Sequence, residues 1–212
     1  MKNTLIVTGG KTSKEFIKKI INNNKIDKII AADKGLEILD QIKVSPDYII
    51  GDFDSINKNI LEKYEETEII KLNPEKDFTD TDMALKLAIK LKSEEIYILG
   101  ALGNRIDHVI SNIHILKQSI DNNIKCKILD ENNEIQLIHK GTYKVEKAGY
   151  KYISLIPLTT KAEGITLKGL KYPLNNATLR IGESLGISNE ILENVAMIKV
   201  EKGILIMIKS ND

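Results

Sequence analysis

The sequence lacks tryptophan and has only one cysteine, two arginines and four prolines among its 212 residues. The single cysteine, Cys126, excludes an intrachain disulfide and favours a reducing compartment, so we expect a cytoplasmic protein. The longest apolar run, at residues 204–208, is far shorter than the ~20 residues that span a bilayer, so we expect no membrane partner. The chain begins Met1-Lys2-Asn3-Thr4 and then enters a short apolar run, so we also expect no secretory signal.

The chain also has almost no net charge, because its 31 lysine and arginine residues are balanced by 30 aspartate and glutamate residues, which leaves a formal charge of +1. A nucleic-acid-binding protein usually has a basic face, so we expect no nucleic-acid partner. Charged residues form 29% of the chain and hydrophobic residues 42%, which is typical of a globular protein. The chain has 29 lysines but only two arginines, Arg105 and Arg180. Either these two positions need a planar guanidinium or two arginines remain by chance.

The first ~130 residues alternate short apolar runs with helical patterns. The runs are rich in isoleucine and flanked by Gly, Asp or Asn, which predicts buried strands at residues 4–8, 28–32, 48–50, 68–72, 95–99 and 124–129. Residues 83–91 and 109–120 have the composition or the apolar spacing of helices. This alternation predicts an α/β fold with a mostly parallel sheet and flanking helices.

After residue 133 the helical periodicity mostly disappears. Short β-type runs follow, separated by glycines, at residues 135–138, 142–145, 150–156, 164–167, 196–200 and 204–208. They predict a small all-β domain, a sandwich or barrel, in which only residues 188–194 suggest a helical turn. We therefore divide the chain into an α/β domain at residues 1–133 and a β-sandwich domain at residues 134–212.

Acidic residues follow four of the predicted parallel strands. They are Asp33 after the second strand, Asp52 and Asp54 after the third, Asp77, Asp80 and Asp82 after the fourth, and Asp107 after the fifth. The carboxyl ends of parallel strands line one crevice, where ligands bind. Converging carboxylates need a cation, and hard oxygen ligands select Mg²⁺, usually together with substrate phosphates.

Each acidic cluster alone also has a structural explanation. Thr79 and Asp82 are spaced as a capping box, and Asp52 and Asp54 can shape a turn. Four clusters on one edge of a sheet are harder to assign to capping, so a ligand site is the stronger interpretation.

Other motifs exclude common chemistries. Gly9-Gly10-Lys11-Thr12 resembles the end of a phosphate-binding P-loop, but the required first glycine would fall at Leu5. A simple turn is favoured there, and a turn with N–H groups near a ligand is the alternative. The three histidines match no zinc spacing, and no Ser-His-Asp or Cys-His pattern is present.

Five motifs, taken together and in this order, resemble the thiamine pyrophosphokinase family. They are Ala31-Ala32-Asp33, Gly51-Asp52-Phe53-Asp54-Ser55, Lys76-Asp77-Phe78-Thr79-Asp80, Gly100-Ala101-Leu102-Gly103-Asn104-Arg105-Ile106-Asp107-His108 and Ser188-Asn189-Glu190. The resemblance covers nearly the whole chain. It implies Mg²⁺-dependent transfer of diphosphate from ATP to the hydroxyethyl oxygen of thiamine, which gives thiamine diphosphate and AMP. It also implies a homodimer with active sites at the interface, a nucleotide-binding first domain and a thiamine-binding second domain.

The resemblance also implies roles for individual residues. It implies that Asp52, Asp54 and Asp80 surround Mg²⁺ and the phosphates and that, with Arg105, they form the catalytic set. It implies that the nucleotide is bound by Asp33, Lys76, Asp77, Arg105, Asp107 and His108. It implies that thiamine is bound by Ser188 and Asn189. Which aspartate is the general base stays open. The chain departs from the family at Lys34-Gly35, where two glycines are common, and in having no tryptophan near the thiamine rings. Tyr172 or another aromatic is the candidate substitute.

Two other functions stay open. One is a related diphosphotransferase that acts on another hydroxyalkyl heterocycle, such as a pterin, although Ser188-Asn189 favours thiamine. The other is a non-catalytic nucleotide-binding sensor, although a sensor needs fewer carboxylates than this chain retains.

Overall fold

The computed structural model describes residues 2–54, 58–73, 75 and 77–212. The chain forms two compact units, Met1–Glu131, called unit 1, and Asn132–Asp212, called unit 2. None of the described helices is both long enough and apolar enough to cross a membrane.

Unit 1 contains six strands that pair in parallel, in the order β4-β3-β2-β1-β5-β6. They are β1 (Asn3–Val7), β2 (Lys28–Ala32), β3 (Tyr48–Gly51), β4 (Glu68–Lys71), β5 (Glu95–Leu99) and β6 (Lys125–Leu129). The predicted parallel sheet is confirmed, and each predicted strand overlaps an observed one. From β1 the chain proceeds outward to β4 and then returns to the other side of β1. The strand order therefore reverses at β1, which is the position where open α/β sheets bind ligands.

The helices of unit 1 follow the strands of the sheet. They are α1 (Lys14–Asn23), α2 (Gly35–Gln41), α3 (Lys58–Leu61), a 3₁₀ turn (Glu62–Tyr64), α4 (Asp80–Lys90), α5 (Ile106–Ile115) and α6 (Lys117–Asp121). Ser13 and Thr79 begin α1 and α4, because each hydroxyl accepts a hydrogen bond from the backbone N–H three residues later. The helix predicted across residues 109–120 is two helices, α5 and α6, which are separated at Leu116.

Apolar residues of both the strands and the helices form the core of unit 1. Leu5, Ala31 and Ile49 of the sheet pack with Ile17 of α1 and Leu36 of α2. The cysteine at position 126 is buried in β6, where burial raises the pKa of its thiol, so it behaves as a core residue and not as a nucleophile.

Unit 2 consists of antiparallel strands in two groups, ordered β7-β13-β9 and β11-β10-β12-β8. They are β7 (Asn133–Ile138), β8 (Gly141–Glu146), β9 (Tyr152–Pro157), β10 (Lys161–Lys168), β11 (Leu174–Arg180), β12 (Val195–Val200) and β13 (Leu205–Ser210). Both groups supply residues to one buried cluster, including Leu155 and Met207 from the first and Leu167 and Ile198 from the second. The all-β sandwich is therefore confirmed.

Two details of unit 2 differ from the sequence prediction. Strand β11 was not predicted, because its sequence is largely polar and Leu179 is its only buried residue. The predicted helical turn at residues 188–194 is wrong, since the segment contains bends and two isolated bridge residues and no helix. Asn189 pairs with Ile153 and Ile191 pairs with Leu170 in isolated antiparallel bridges.

Candidate active site

The carboxyl ends of β1, β2 and β5 surround a cavity of about 430 Å³, which we call the crevice. It lies where the strand order reverses. Of the predicted site residues, Asp33, Asp80, Arg105 and His108 line it. The other lining residues come from the turns after β1 and β5 and from the starts of α2, α4 and α5, and they include Thr8, Gly9, Gly10, Lys34, Asn104 and Asn112.

Glycines allow the loops around the crevice to approach one another closely. A Cβ atom at Gly10 would lie 1.9 Å from the carbonyl oxygen of Gly100, and one at Gly35 would lie 1.9 Å from the carbonyl oxygen of Val7. The Gly9-Gly10 segment is thus the turn that the sequence favoured, and it also lines the crevice. No side chain other than hydrogen fits at Gly10 or Gly35 without displacement of the backbone.

Asp33, which lines the crevice, has an unusual backbone conformation. Its φ of 49° lies in the left-handed region, which aspartate tolerates better than most residues. Two backbone hydrogen bonds hold it there: its N–H donates to the carbonyl of Ile50 at 2.8 Å, and its carbonyl accepts from the N–H of Leu36 at 3.1 Å. The carboxylate is therefore presented from a fixed turn between β2 and α2.

Two acids at the start of α4 face different surroundings. Asp80 lines the crevice at the N-terminus of the helix, where the peptide dipoles favour negative charge. Asp82 is only 7% exposed, and its carboxylate accepts hydrogen bonds from Gln118 of α6 at 2.7 Å and from Lys86 at 3.2 Å. The capping box is therefore half formed. Thr79 caps the N–H of Asp82, but the carboxylate of Asp82 joins α4 to α6.

Arg105 and Asp107 form an exposed ion pair with each other. Arg105 lines the crevice, and the hydrogen bonds between the two side chains are both local to the first turn of α5. The hydrogen bond from Arg105 lowers the pKa of the Asp107 carboxyl, and the same bond raises the pKa of the Arg105 guanidinium. A local ion pair therefore already binds the guanidinium at the start of α5.

Asn112 is a crevice residue that sequence reasoning missed. It is buried on α5, and its amide donates to the carbonyl of Ala101 at 2.9 Å, which fixes the turn after β5. Asn112 lies inside a helical pattern, where a single polar residue gives no signal. Only the contact with the turn identifies it.

Asp52 and Asp54 line a second cavity of about 570 Å³, next to Phe53 and the acids Glu62 and Glu65. The N–H of Asp54 donates to Oδ1 of Asp52 at 3.1 Å, so these acids do shape a turn, as one interpretation of the sequence held. Among the described residues, no group of three or more Asp, Glu, His or Cys side chains is close enough to hold a metal by itself.

The remaining predicted residues of unit 1 lie elsewhere. Asp77 and Asp107 line neither cavity. Lys76 lies outside the described residues, as does Ser55 of the second motif.

In unit 2, Asn189 and Tyr172 line a smaller cavity of about 250 Å³, whose walls include Leu174, Leu185 and Ile187. Tyr172 is 58% exposed, whereas Asn189 is only 4% exposed. The side-chain amide of Asn189 makes its hydrogen bonds with the backbone of Tyr172 and with its own neighbour, Glu190. The family resemblance implied a thiamine-side role for Asn189, and the structure directs its amide toward the backbone of Tyr172.

Ser188, the other thiamine-side residue, is exposed. Its φ of 54° lies in the left-handed region, and its N–H donates to the hydroxyl of Ser154 in β9 at 2.9 Å. The structure therefore fixes the backbone of Ser188 against β9 and leaves its own side chain at the surface.

Two family descriptions match the chain. "Thiamin pyrophosphokinase, catalytic domain" matches residues 18–128, and "Thiamin pyrophosphokinase, vitamin B1 binding domain" matches residues 142–205. A thiamine pyrophosphokinase of Bacillus subtilis (strain 168) is 39% identical over 186 residues, which are 86% of this chain and 87% of the relative. Thiamin pyrophosphokinase 1 of Caenorhabditis elegans is 28% identical over 77% of this chain and 70% of its own length.

Solved structures show the same similarity. The crystal structure of thiamine pyrophosphokinase from Bacillus subtilis has a TM-score of 0.89, with 34% identity and full coverage of both chains. That of thiamin pyrophosphokinase from Geobacillus thermodenitrificans has a TM-score of 0.88 and 29% identity, over 99% of this chain and 98% of the other. The predicted α/β and all-β organisation agrees with both.

Proposed function

This chain belongs to the thiamine pyrophosphokinase family, and from that membership we propose which of its residues transfer diphosphate from ATP to thiamine. The reaction is that of an ATP:thiamine diphosphotransferase, and its products are thiamine diphosphate and AMP. The observation that supports the assignment of residues is the crevice at the point of strand reversal, which gathers Asp33, Asp80 and Arg105.

We assign ATP to unit 1, with its phosphates in the crevice. The turn at Gly9-Gly10 offers backbone to the phosphates, and Arg105 and His108, which also line the crevice, supply hydrogen-bond donors. Lys76, Asp77 and Asp107 stay in the proposal as nucleotide-side residues on the strength of the family resemblance alone. Unit 1 is thus the nucleotide-binding catalytic domain, at about residues 1–133.

We propose that Mg²⁺ is held by Asp52, Asp54 and Asp80 together with the phosphates of ATP, although in the structure Asp52 and Asp54 line the 570 Å³ cavity and Asp80 lines the crevice. These side chains offer the hard carboxylate oxygens that Mg²⁺ prefers, and phosphate oxygens complete such sites. A Cβ at Gly51, the residue before Asp52, would lie 3.4 Å from the Cα of Asp33, so the ends of β2 and β3 are in close contact. When bound, the ion neutralises phosphate charge.

The chain's own residues then orient the reactants and move one proton. The hydroxyl oxygen of thiamine attacks the β-phosphorus of ATP, and the bond from that phosphorus to the oxygen bridging the α- and β-phosphates breaks. AMP leaves with that oxygen, and one of the aspartates accepts the hydroxyl proton. Because the transition state spreads negative charge over the phosphoryl oxygens, the guanidinium of Arg105 stabilises it.

We assign thiamine to unit 2, about residues 134–212, with Tyr172 as the aromatic that replaces the missing tryptophan. Its exposed ring borders the 250 Å³ cavity together with the apolar side chains of Leu185 and Ile187. A face of this kind suits a flat heteroaromatic cation, because aromatic rings attract positive charge. Ser188, which is exposed and lies in sequence between the cavity residues Ile187 and Asn189, is the polar residue of this side.

We further propose a cytoplasmic homodimer with active sites at the subunit interface. Exposed apolar side chains on unit 2, among them Ile181 and Leu192, support burial against a partner. Unit 2 spans Asn132–Asp212 and is small for a self-sufficient core. The free thiol of Cys126 supports a reducing compartment.

A coupled assay of AMP release tests this function. We expect AMP and thiamine diphosphate to form from ATP only when thiamine and Mg²⁺ are both present. AMP release with a hydroxymethyl pterin but not with thiamine would favour the related diphosphotransferase. Binding of ATP without AMP release in the presence of either acceptor would favour a nucleotide sensor.

A further inference from the structure

We propose that Asn189 is a positioning residue, which promotes thiamine binding by fixing the backbone of Tyr172. This inference rests on the proposed function, because it assumes that Tyr172 contacts thiamine. It differs from a direct binding role, in which the amide of Asn189 would itself contact thiamine.

The amide of Asn189 pairs with Tyr172 as a neighbouring strand would. Its Oδ1 accepts the backbone N–H of Tyr172 at 2.9 Å, and its Nδ2 donates to the backbone carbonyl of Tyr172 at 2.8 Å. Oδ1 also accepts the N–H of Glu190 at 2.9 Å. Both backbone groups of Tyr172 are thus satisfied by one buried side chain, and loss of that side chain would leave both without this partner.

The backbone of Asn189 is itself held by the sandwich. Asn189 and Ile153 of β9 exchange two backbone hydrogen bonds, at 2.8 and 2.9 Å. Asn189 therefore connects a strand of the core to the turn that contains Tyr172.

The other backbone hydrogen bonds of this turn hold residues that precede Tyr172. Lys171 donates its backbone N–H to Glu190 at 2.9 Å, and the two side chains form an exposed ion pair at 2.7 Å. Leu192 donates to the carbonyl of Gly169 at 3.0 Å. These bonds hold residues 169 and 171, so the amide of Asn189 is what fixes the next residue.

The ring of Tyr172 depends on this support because so little of it is buried. A side chain that is 58% exposed has few packing contacts, and the ammonium of Lys171, 5.7 Å from the ring centroid, is itself exposed, so the backbone contributes strongly to the direction of the ring. An aromatic surface that is fixed before ligand binding loses less conformational entropy on binding than a mobile one does.

A double-mutant cycle separates positioning from direct contact. We expect Tyr172→Ala and Asn189→Ala each to raise the KM for thiamine on the order of tenfold, with the KM for ATP and kcat changed less than about twofold. If Asn189 acts through Tyr172, Asn189→Ala in the Tyr172→Ala background will raise the KM for thiamine little further. Effects that multiply would show that Asn189 contacts thiamine independently, which would overturn the inference.

Thr159→Ala is the matched control for loss of stability. Thr159 also binds two backbone groups of unit 2 through its side chain, since its hydroxyl donates to Lys161 at 2.8 Å and accepts the N–H of Ile204 at 3.1 Å. It is not among the residues lining the Tyr172 cavity. We expect Thr159→Ala to lower the melting temperature without changing the KM for thiamine. An equal rise in that KM would mean that any weakening of unit 2 has the same effect.

A spectroscopic measurement covers the case in which Asn189→Ala fails to fold. Because the chain has no tryptophan, Tyr172→Trp introduces a single tryptophan at the proposed site, whose fluorescence can be excited selectively over that of the tyrosines. Asn189→Asp keeps the acceptor for the N–H of Tyr172 but replaces the donor to its carbonyl. We expect Asn189→Asp, added to the Tyr172→Trp variant, to lower the fluorescence anisotropy of that tryptophan and to weaken the quenching of its fluorescence by added thiamine. Unchanged anisotropy and quenching would overturn the inference. If Tyr172→Ala leaves the KM for thiamine unchanged, the thiamine site of the proposed function fails instead.

Discussion

The guanidinium of Arg105 binds both carboxylate oxygens of Asp107, through Nε at 3.3 Å and through Nη2 at 2.6 Å. The two side chains are 70% and 64% exposed, so water screens the pair strongly. Two parallel donors of one guanidinium match two oxygens of a phosphate as well as they match those of a carboxylate. Arg105 is therefore preorganised for two-point binding at the rim of the crevice, with Asp107 as its partner.

We predict that Arg105→Lys lowers kcat and kcat/KM together by more than about tenfold and leaves the KM for ATP nearly unchanged. A lysine keeps the charge, but it cannot bind two oxygens in a fixed orientation. Steady-state kinetics at saturating Mg²⁺ measure the effect. The matched control is Arg180→Lys, at the only other arginine, on β11 of unit 2, which we expect to have no effect. A kcat within about twofold of the wild type would remove Arg105 from the catalytic set.

Asp52→Asn and Asp54→Asn should each abolish most activity while the protein stays folded. An asparagine at position 52 keeps the side-chain oxygen that accepts the N–H of Asp54, so the turn is preserved. What is lost is the negative charge, and with it affinity for Mg²⁺. Turnover measured against Mg²⁺ concentration, together with thermal unfolding, tests this expectation.

Asp121→Asn is the control for those two variants. Asp121 is an exposed residue at the end of α6 and lines neither cavity of unit 1, so its loss of charge should leave turnover unchanged. Wild-type turnover and wild-type Mg²⁺ dependence in both the Asp52 and Asp54 variants would contradict the metal assignment.

The sequence was sufficient to predict the strands of unit 1 and the edge of the sheet where its acids gather. Buried parallel strands are continuous apolar runs, and the rule that their carboxyl ends meet needs no coordinates. The strand and helix pattern alone did not separate Asp80 from Asp82, because both lie in the first turn of α4, and only the family resemblance gave Asp80 a separate role. Only the partner from α6, Gln118, shows that Asp82 is structural.

Asn189 was ambiguous for the same reason. Its partner, Tyr172, lies 17 residues earlier in the chain, and no local pattern indicates such a hydrogen bond. Strand β11 was missed because it lies at the edge of its sheet and buries little, so the alternation of apolar and polar residues that marks a strand is weak.

For the contact between α4 and α6 we predict a loss of stability without a loss of substrate affinity. Asp82→Ala should lower the free energy of unfolding by ~1–3 kcal/mol, because it leaves Gln118 without its acceptor. Gln118→Ala should cost less, and the double variant should cost less than the sum of the two. Urea denaturation measures all three. A stability cost that is fully additive, or a large rise in the KM for ATP, would contradict this role.

For the oligomeric state we predict a dimer. Light scattering at micromolar concentration should give twice the mass of one chain, since Ile181 and Leu192 are each more than 60% exposed and apolar surface of this kind is stabilised by burial. A monomer with full activity at the same concentration would contradict both the dimer and the interfacial active site.

The central position of β13 between β7 and β9 has a consequence for synthesis on the ribosome. All the strands of unit 1 precede residue 131, so its sheet can form while unit 2 is still being translated. Unit 2 has no such order, because β13, at Leu205–Ser210, is synthesised last and is the strand with which both β7 and β9 pair in antiparallel fashion. Until it is made, β9 lacks this partner, and the unfinished sandwich presents unpaired strand edges to chaperones and to other nascent chains.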